Sequence, residues 1–234
     1  MKIIAGNWKM NGTRSGLESM VRDLETVDTE NQVILCVPFT MLGVRSDKVA
    51  LGGQDVSEQA KGAFTGEVAA SMIADTGAKY VIVGHSECRQ YHNETNNTVR
   101  NKASQALANG LIPIICVGET MEEKQAGKTM AVIESGVRES IPSDVSTDII
   151  VAYEPRWAIG AGLTPTESEI AEAHTLIAKT LADMGLGGTP VLYGASVKGS
   201  NAAEIMSIPN VDGVLVGGAS LKSDDFIPII TSVK

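Results

Sequence analysis

Cysteine is scarce in this chain. Cys36, Cys88 and Cys116 are the only three, an odd number with no Cys-x-x-Cys pair, which argues against a disulfide or zinc framework and fits a reducing compartment. Positive charge is also short: 19 Lys and Arg stand against 28 Asp and Glu, for a net charge of −9. That excess of acid argues against a nucleic-acid or anionic-membrane partner. If the substrate is an anion, attraction must be local: a particular Lys, a neutral donor, or helix N-termini. No apolar run approaches a membrane span, and Met1-Lys2-Ile3-Ile4-Ala5-Gly6 is too short for a signal peptide, so a soluble, cytoplasmic protein is expected. No Pro/Ser-rich linker divides the 234 residues, and one domain over 1–234 is expected.

What the chain has is a regular alternation. Continuous apolar runs stand at Ile3–Ala5, Val33–Val37, Val49–Leu51, Tyr80–Val83, Ile112–Val117, Ile149–Ala152, Val191–Tyr193 and Val214–Val216. Runs without polar alternation need both faces covered, as in a parallel sheet wrapped by helices. Pro113 fits such a run only near a strand start or bulge. Helical spacing appears at Leu17, Met20, Val21, Leu24 and at Ile170, Ile177, Leu181, Met184. Thr120 with Glu123, and Thr166 with Glu169, have the form of reciprocal helix caps. Eight strands predict a closed (β/α)8 barrel rather than an open doubly wound sheet. Helical signals after the second, third and seventh runs are weak.

The ends of the runs carry the chemistry. Asn7-Trp8-Lys9 follows the first, Gly84-His85-Ser86-Glu87 the fourth, and Glu154-Pro155 the sixth. Gly194-Ala195-Ser196 follows the seventh and Gly217-Gly218 the eighth. In a barrel these ends share one face. Glu154 is either a base on a rigid support with a hinged flap beyond it, or a surface acid before an ordinary connection; this stretch alone supports both. A lone His after a strand, a Lys in a turn and a Gly-Gly pair each have plain structural readings too.

Taken together, Asn7-Trp8-Lys9-Met10-Asn11, Gly62–Glu67, Gly84–Glu87, Ala152–Pro155, Ala158-Ile159-Gly160 and Val216–Ser220 resemble the signature segments of the triosephosphate isomerase family. The order and spacing match over nearly the whole chain. The resemblance implies a (β/α)8 barrel that interconverts dihydroxyacetone phosphate and glyceraldehyde 3-phosphate, in glycolysis and gluconeogenesis, without cofactor or metal. It implies Glu154 as base, made more basic by Ile159 and Leu215, and His85 as a neutral electrophile. Lys9 supplies charge, Asn7 contacts substrate and orients Lys9, and Glu87 relays protons or positions Lys9. Gly160, Ser196, Gly217 and Gly218 hold the phosphate. It implies a flap over about 155–165, held open through Glu119, Tyr153 and Trp157 and closed onto Tyr193 and Ser196. Cys116 is either a conformationally important thiol or an inert core one. A homodimer would form through Phe64, Thr65 and Gly66.

Some positions depart from the family pattern. Arg156 stands where an aliphatic hinge residue is usual, Ala161 for Thr, Ala195 for Gly, Cys88 for Arg and Asp55 for Asn. An Ala195 forced to positive φ would cost about 1 kcal/mol or more. His92 and His174 have no evident partner and are expected at the surface. Two other classes fit the fold: a non-catalytic phosphate-binding barrel, and another sugar-phosphate isomerase that does not need Lys9, His85 and Glu154 together.

Overall fold

The computed structural model describes residues 1–145, 148–159 and 164–233. Eight parallel strands close on themselves in sequence order: β1 Ile3–Asn7, β2 Gln32–Cys36, β3 Val49–Gly53, β4 Tyr80–Val83, β5 Ile112–Val117, β6 Ile150–Tyr153, β7 Val191–Tyr193 and β8 Gly213–Val216. Every strand lies on one of the expected apolar runs. Pro113 is second in β5, near its start, where a missing N–H is tolerated. Helices α1 Arg14–Glu25, α2 Ala70–Asp75, α3 Ser86–Tyr91, α4 Asn96–Ala108, α5 Met121–Gln125, α6 Thr129–Ser140, α7 Glu167–Asp183, α8 Ala202–Ser207 and α9 Ser223–Ile230 lie between and after the strands. Where helical signals are weak the helices are short: a 3₁₀ turn, Phe39–Met41, follows β2, and six-residue helices follow β3 and β7. None of the described helices is long and apolar enough to cross a membrane.

Strand side chains alternate between two apolar layers. Ile3 and Ala5, Ile34 and Cys36, Ile82, Ile114 and Cys116, Ile150 and Ala152, Leu192 and Leu215 fill the inside of the barrel. Ile4, Val33, Leu35, Val81, Val83, Ile115, Val151, Tyr153, Tyr193, Val214 and Val216 face the helices. Continuing the inner register by one step reaches Asn7, Gly84, Gly118, Glu154, Gly194 and Gly217. The same period that packs the core therefore aims one acid, one amide and several small residues into the C-terminal mouth.

The expected caps form. Thr120 accepts from the Glu123 N–H at 3.2 Å, and Glu123 accepts from the Thr120 N–H at 2.7 Å. Thr166 and Glu169 repeat the exchange at 3.3 and 2.8 Å. Cys88 leaves no cation of its own beside α3; the Lys102 ammonium instead pairs with Asp55, at 2.6 and 2.9 Å, and with Glu94. Ala195 is not among the residues at positive φ, so its methyl carries no such strain.

His92 is exposed as expected, but His174 is not: it is fully buried. It lies on the inward face of α7 with Ile170, Ile177 and Leu181, between the rings of Tyr153 and Tyr193, and its Nδ1 bonds the Asn210 carbonyl at 2.9 Å. Burial lowers its pKa from 6.5 to about 4. The unfolded chain thus binds the proton more readily. Stability from this group is complete above pH 6.5 and is lost as pH falls toward 4. Urea unfolding should show a loss of the order of 2 to 3 kcal/mol from His174 between pH 7 and 4.5. His174→Gln should flatten that slope; an equally steep slope in the variant would contradict the assignment.

Candidate active site

The mouth of the barrel begins with Lys9, a non-glycine residue at φ 52°. Such a conformation needs outside support. Asn7 Oδ1 accepts the Lys9 N–H at 3.0 Å, and Trp8 fixes the segment by donating Nε1–H to the Ser220 carbonyl at 2.9 Å. The Lys9 ammonium is thereby directed to Glu87, with Nζ to Oε1 at 2.6 Å.

Glu154 leaves β6 with its side chain only 3% exposed. Its backbone is packed against Gly118, where a Cβ would come within 1.8 Å of the Glu154 carbonyl oxygen. One carboxylate oxygen accepts the Ser86 N–H at 2.9 Å, at the first turn of α3, and the other lies 2.9 Å from His85 Nε2. Gly84, at φ 68°, turns the chain so that His85 caps α3. The Glu87 N–H donates to His85 Nδ1 at 3.2 Å, which assigns the imidazole proton to Nε2, facing Glu154.

This pairing changes the expected electrostatics. Burial raises the Glu154 pKa, but the His85 charge and hydrogen bond, the Ser86 N–H and Lys9 together bring it below the ordinary carboxylate range. Burial likewise lowers the His85 pKa, and the Glu154 and Glu87 carboxylates outweigh it, leaving the imidazole above its ordinary value. The apolar neighbours predict a more basic Glu154, and the helix start a less basic His85. Both directions are reversed because the carboxylate rests on the imidazole.

A cavity of about 420 Å³ joins these groups, lined by Asn7, Lys9, His85, Glu87 and Glu154 together with Ser196, Gly217 and Gly218, and Gly217 lies beside the Lys9 side chain. Ile159 and Leu215 form its apolar wall. Gly217 and Gly218 open a 3₁₀ turn, Gly218–Ser220, where main-chain N–H groups are accessible to an anion. Above the acid, Glu119 accepts from Trp157 Nε1 at 2.7 Å and from Tyr153 OH at 3.3 Å, and the Lys124 ammonium lies 3.7 Å from the centre of the Trp157 ring. The Tyr193 hydroxyl is buried without a partner among the described residues.

Eight of the nine site residues read from the sequence thus line one cavity. The ninth, Gly160, lies outside the described residues, as does Ala161. Two further features were not legible. Lys198 also lines the cavity, and an isolated Lys carries no sequence signal for it. The Ser86 N–H that holds Glu154 is a backbone group, invisible in side-chain motifs. Cys116 is buried inside the barrel, where burial first and the Glu154 charge second raise its pKa well above the ordinary thiol value. Asp55, Cys88 and Glu94 have atoms mutually within 4.8 Å, but they lie outside this cavity and the Lys102 ammonium already pairs with both carboxylates.

The model of the triosephosphate isomerase family matches residues 2–233. A triosephosphate isomerase of a Ruegeria species is 48% identical, over 99% of this chain and 98% of its own. That of Mesorhizobium japonicum is 45% identical, over 97% and 94%. The crystal structure of triosephosphate isomerase from Bartonella henselae superposes with a TM-score of 0.89 at 37% identity, covering 99% of this chain and 98% of that one. Barrel, cavity and relatives agree, and this chain belongs to the triosephosphate isomerase family.

Proposed function

We propose that the protein interconverts dihydroxyacetone phosphate and D-glyceraldehyde 3-phosphate by moving a proton between adjacent carbons through an enediolate. The observation that carries this reading is the meeting of Lys9, His85 and Glu154 in one cavity that the glycine turn at Gly217 and Gly218 also lines. Substrate binding parts the Glu154–His85 contact. The freed carboxylate takes the proton from the carbon beside the carbonyl, and its carboxyl returns a proton to the neighbouring carbon. The His85 Nε2–H is given to the oxygen on which negative charge develops, the imidazole takes the hydroxyl proton from the neighbouring oxygen in return, and Lys9, held by Glu87 and Asn7, offsets the charge and the phosphate. Without His85 beside it, and against Ile159 and Leu215, the buried carboxylate regains the basicity that burial favours.

Ser196, Gly217, Gly218 and Gly160 bind the phosphate in this reading. The Glu119 contacts to Tyr153 and Trp157 belong to the open flap; closing segment 155–165 excludes water and protects the enediolate from losing phosphate. The protein acts as a homodimer in the cytoplasm. Phe64, 43% exposed at the tip of the connection after β3, and Met10, 96% exposed beside Lys9, are apolar groups that a second copy would cover. An enzyme-coupled assay with D-glyceraldehyde 3-phosphate should show turnover, and the same preparation should sediment at twice the chain mass. Phosphoglycolate binding without turnover would favour a non-catalytic barrel instead. A species of single-chain mass at micromolar concentration would remove the dimer.

A further inference from the structure

A second, smaller cavity of about 190 Å³ lies outside the strand ring, where the end of β5 meets α4 and α6. Two arginines line it, Arg89 and Arg156, with Asn96, Glu123, Ser135 and Gly118. Arg89 is fixed by four hydrogen bonds: Nε to the Gly84 carbonyl at 2.8 Å, Nη1 to Asn96 Oδ1 at 2.8 Å, and Nη2 to the Cys116 carbonyl at 3.0 Å and Ser140 Oγ at 3.3 Å. An arginine has five N–H donors, so one Arg89 donor remains. Arg156 makes no side-chain hydrogen bond or ion pair among the described residues, although it follows Pro155 directly and its N–H is anchored on the Glu119 carbonyl at 3.0 Å. The one carboxylate lining the cavity, Glu123, accepts the Thr120 N–H at 2.7 Å in its helix cap and pairs with neither arginine.

Two like charges sharing a polar cavity favour a counter-anion, and guanidinium groups match oxyanions in geometry. The volume is several times the roughly 30 Å³ share of one water, room for a phosphate-sized ion with some hydration. We propose that this cavity binds a small oxyanion of the phosphate or sulfate class between Arg156 and Arg89, and that the bound ion holds the hinge residue Arg156 in place. The site is distinct from the catalytic cavity. Gly118, one of its walls, is packed against the backbone of Glu154.

The test is calorimetric titration of the full-length protein with inorganic phosphate after saturation with phosphoglycolate, which occupies the catalytic cavity. Wild type should still bind one phosphate. Arg156→Leu and Arg156→Gln, which remove the charge with and without keeping a polar side chain of similar reach, should each weaken that binding about tenfold or more. No phosphate binding by phosphoglycolate-saturated wild type, or wild-type affinity in either variant, would overturn the proposal. Absence of phosphoglycolate binding would instead count against the isomerase reading, and the Arg156 dependence of phosphate binding would still test this site.

Discussion

Glu154→Gln is expected to lower kcat/KM for D-glyceraldehyde 3-phosphate by about a thousandfold or more, with most of the loss in kcat, because the amide cannot take a proton. The substitution preserves size, and the Gln oxygen still accepts the Ser86 N–H that positions residue 154. It also removes the carboxylate that raises the His85 pKa, so the imidazole should titrate at lower pH in the variant. Steady-state assay and proton NMR of the His85 ring check the two parts. A variant within tenfold of wild type would remove Glu154 as base, and an unmoved His85 titration would contradict the contact at 2.9 Å.

Gly118→Ala is expected to damage both fold and chemistry. Its methyl would come within 1.8 Å of the Glu154 carbonyl oxygen, and neither group belongs to a flexible side chain that can rotate away. The backbones of β5 and β6 must part, at a cost of about 3 kcal/mol or more, which for a chain of this size lowers Tm by about 10 °C. The displacement moves Glu154 itself; a misplacement of about 1 Å at a reacting group lowers kcat about a hundredfold. Thermal unfolding and kinetics together test this, since an ordinary overpacked glycine would lower Tm alone. An unchanged Tm would contradict the close approach.

These two residues show what could be read from the chain and what could not. The place of Glu154 at a strand end is legible because an apolar run stops beside it and Pro155 forces the chain out of the sheet; its reading as a base rests on the family resemblance. The barrel was legible because every strand is buried on both faces, leaving unbroken apolar runs that mark all eight. Gly118 had no signal of its own: its necessity comes from a contact with a strand end more than thirty positions away. His174 is the opposite case. Its position repeats the spacing of Ile170, Ile177 and Leu181, so the helix period placed it inward, and its polarity alone suggested the surface. The directions in which Glu154 and His85 shift depart from expectation for a different reason. Sequence locates each beside apolar groups or a helix start, but only coordinates show the two side chains in contact.

Isomerisation of D-glyceraldehyde 3-phosphate in deuterated water, followed by NMR, tests the central claim most directly. If Glu154 carries the proton between carbons, its carboxyl exchanges with solvent while the enediolate is held. Wild-type product should then contain carbon-bound deuterium at the position that received the proton, and Glu154→Gln should form almost none. Deuterium-labelled product formed by Glu154→Gln at the wild-type rate, or no conversion by wild type, would contradict it.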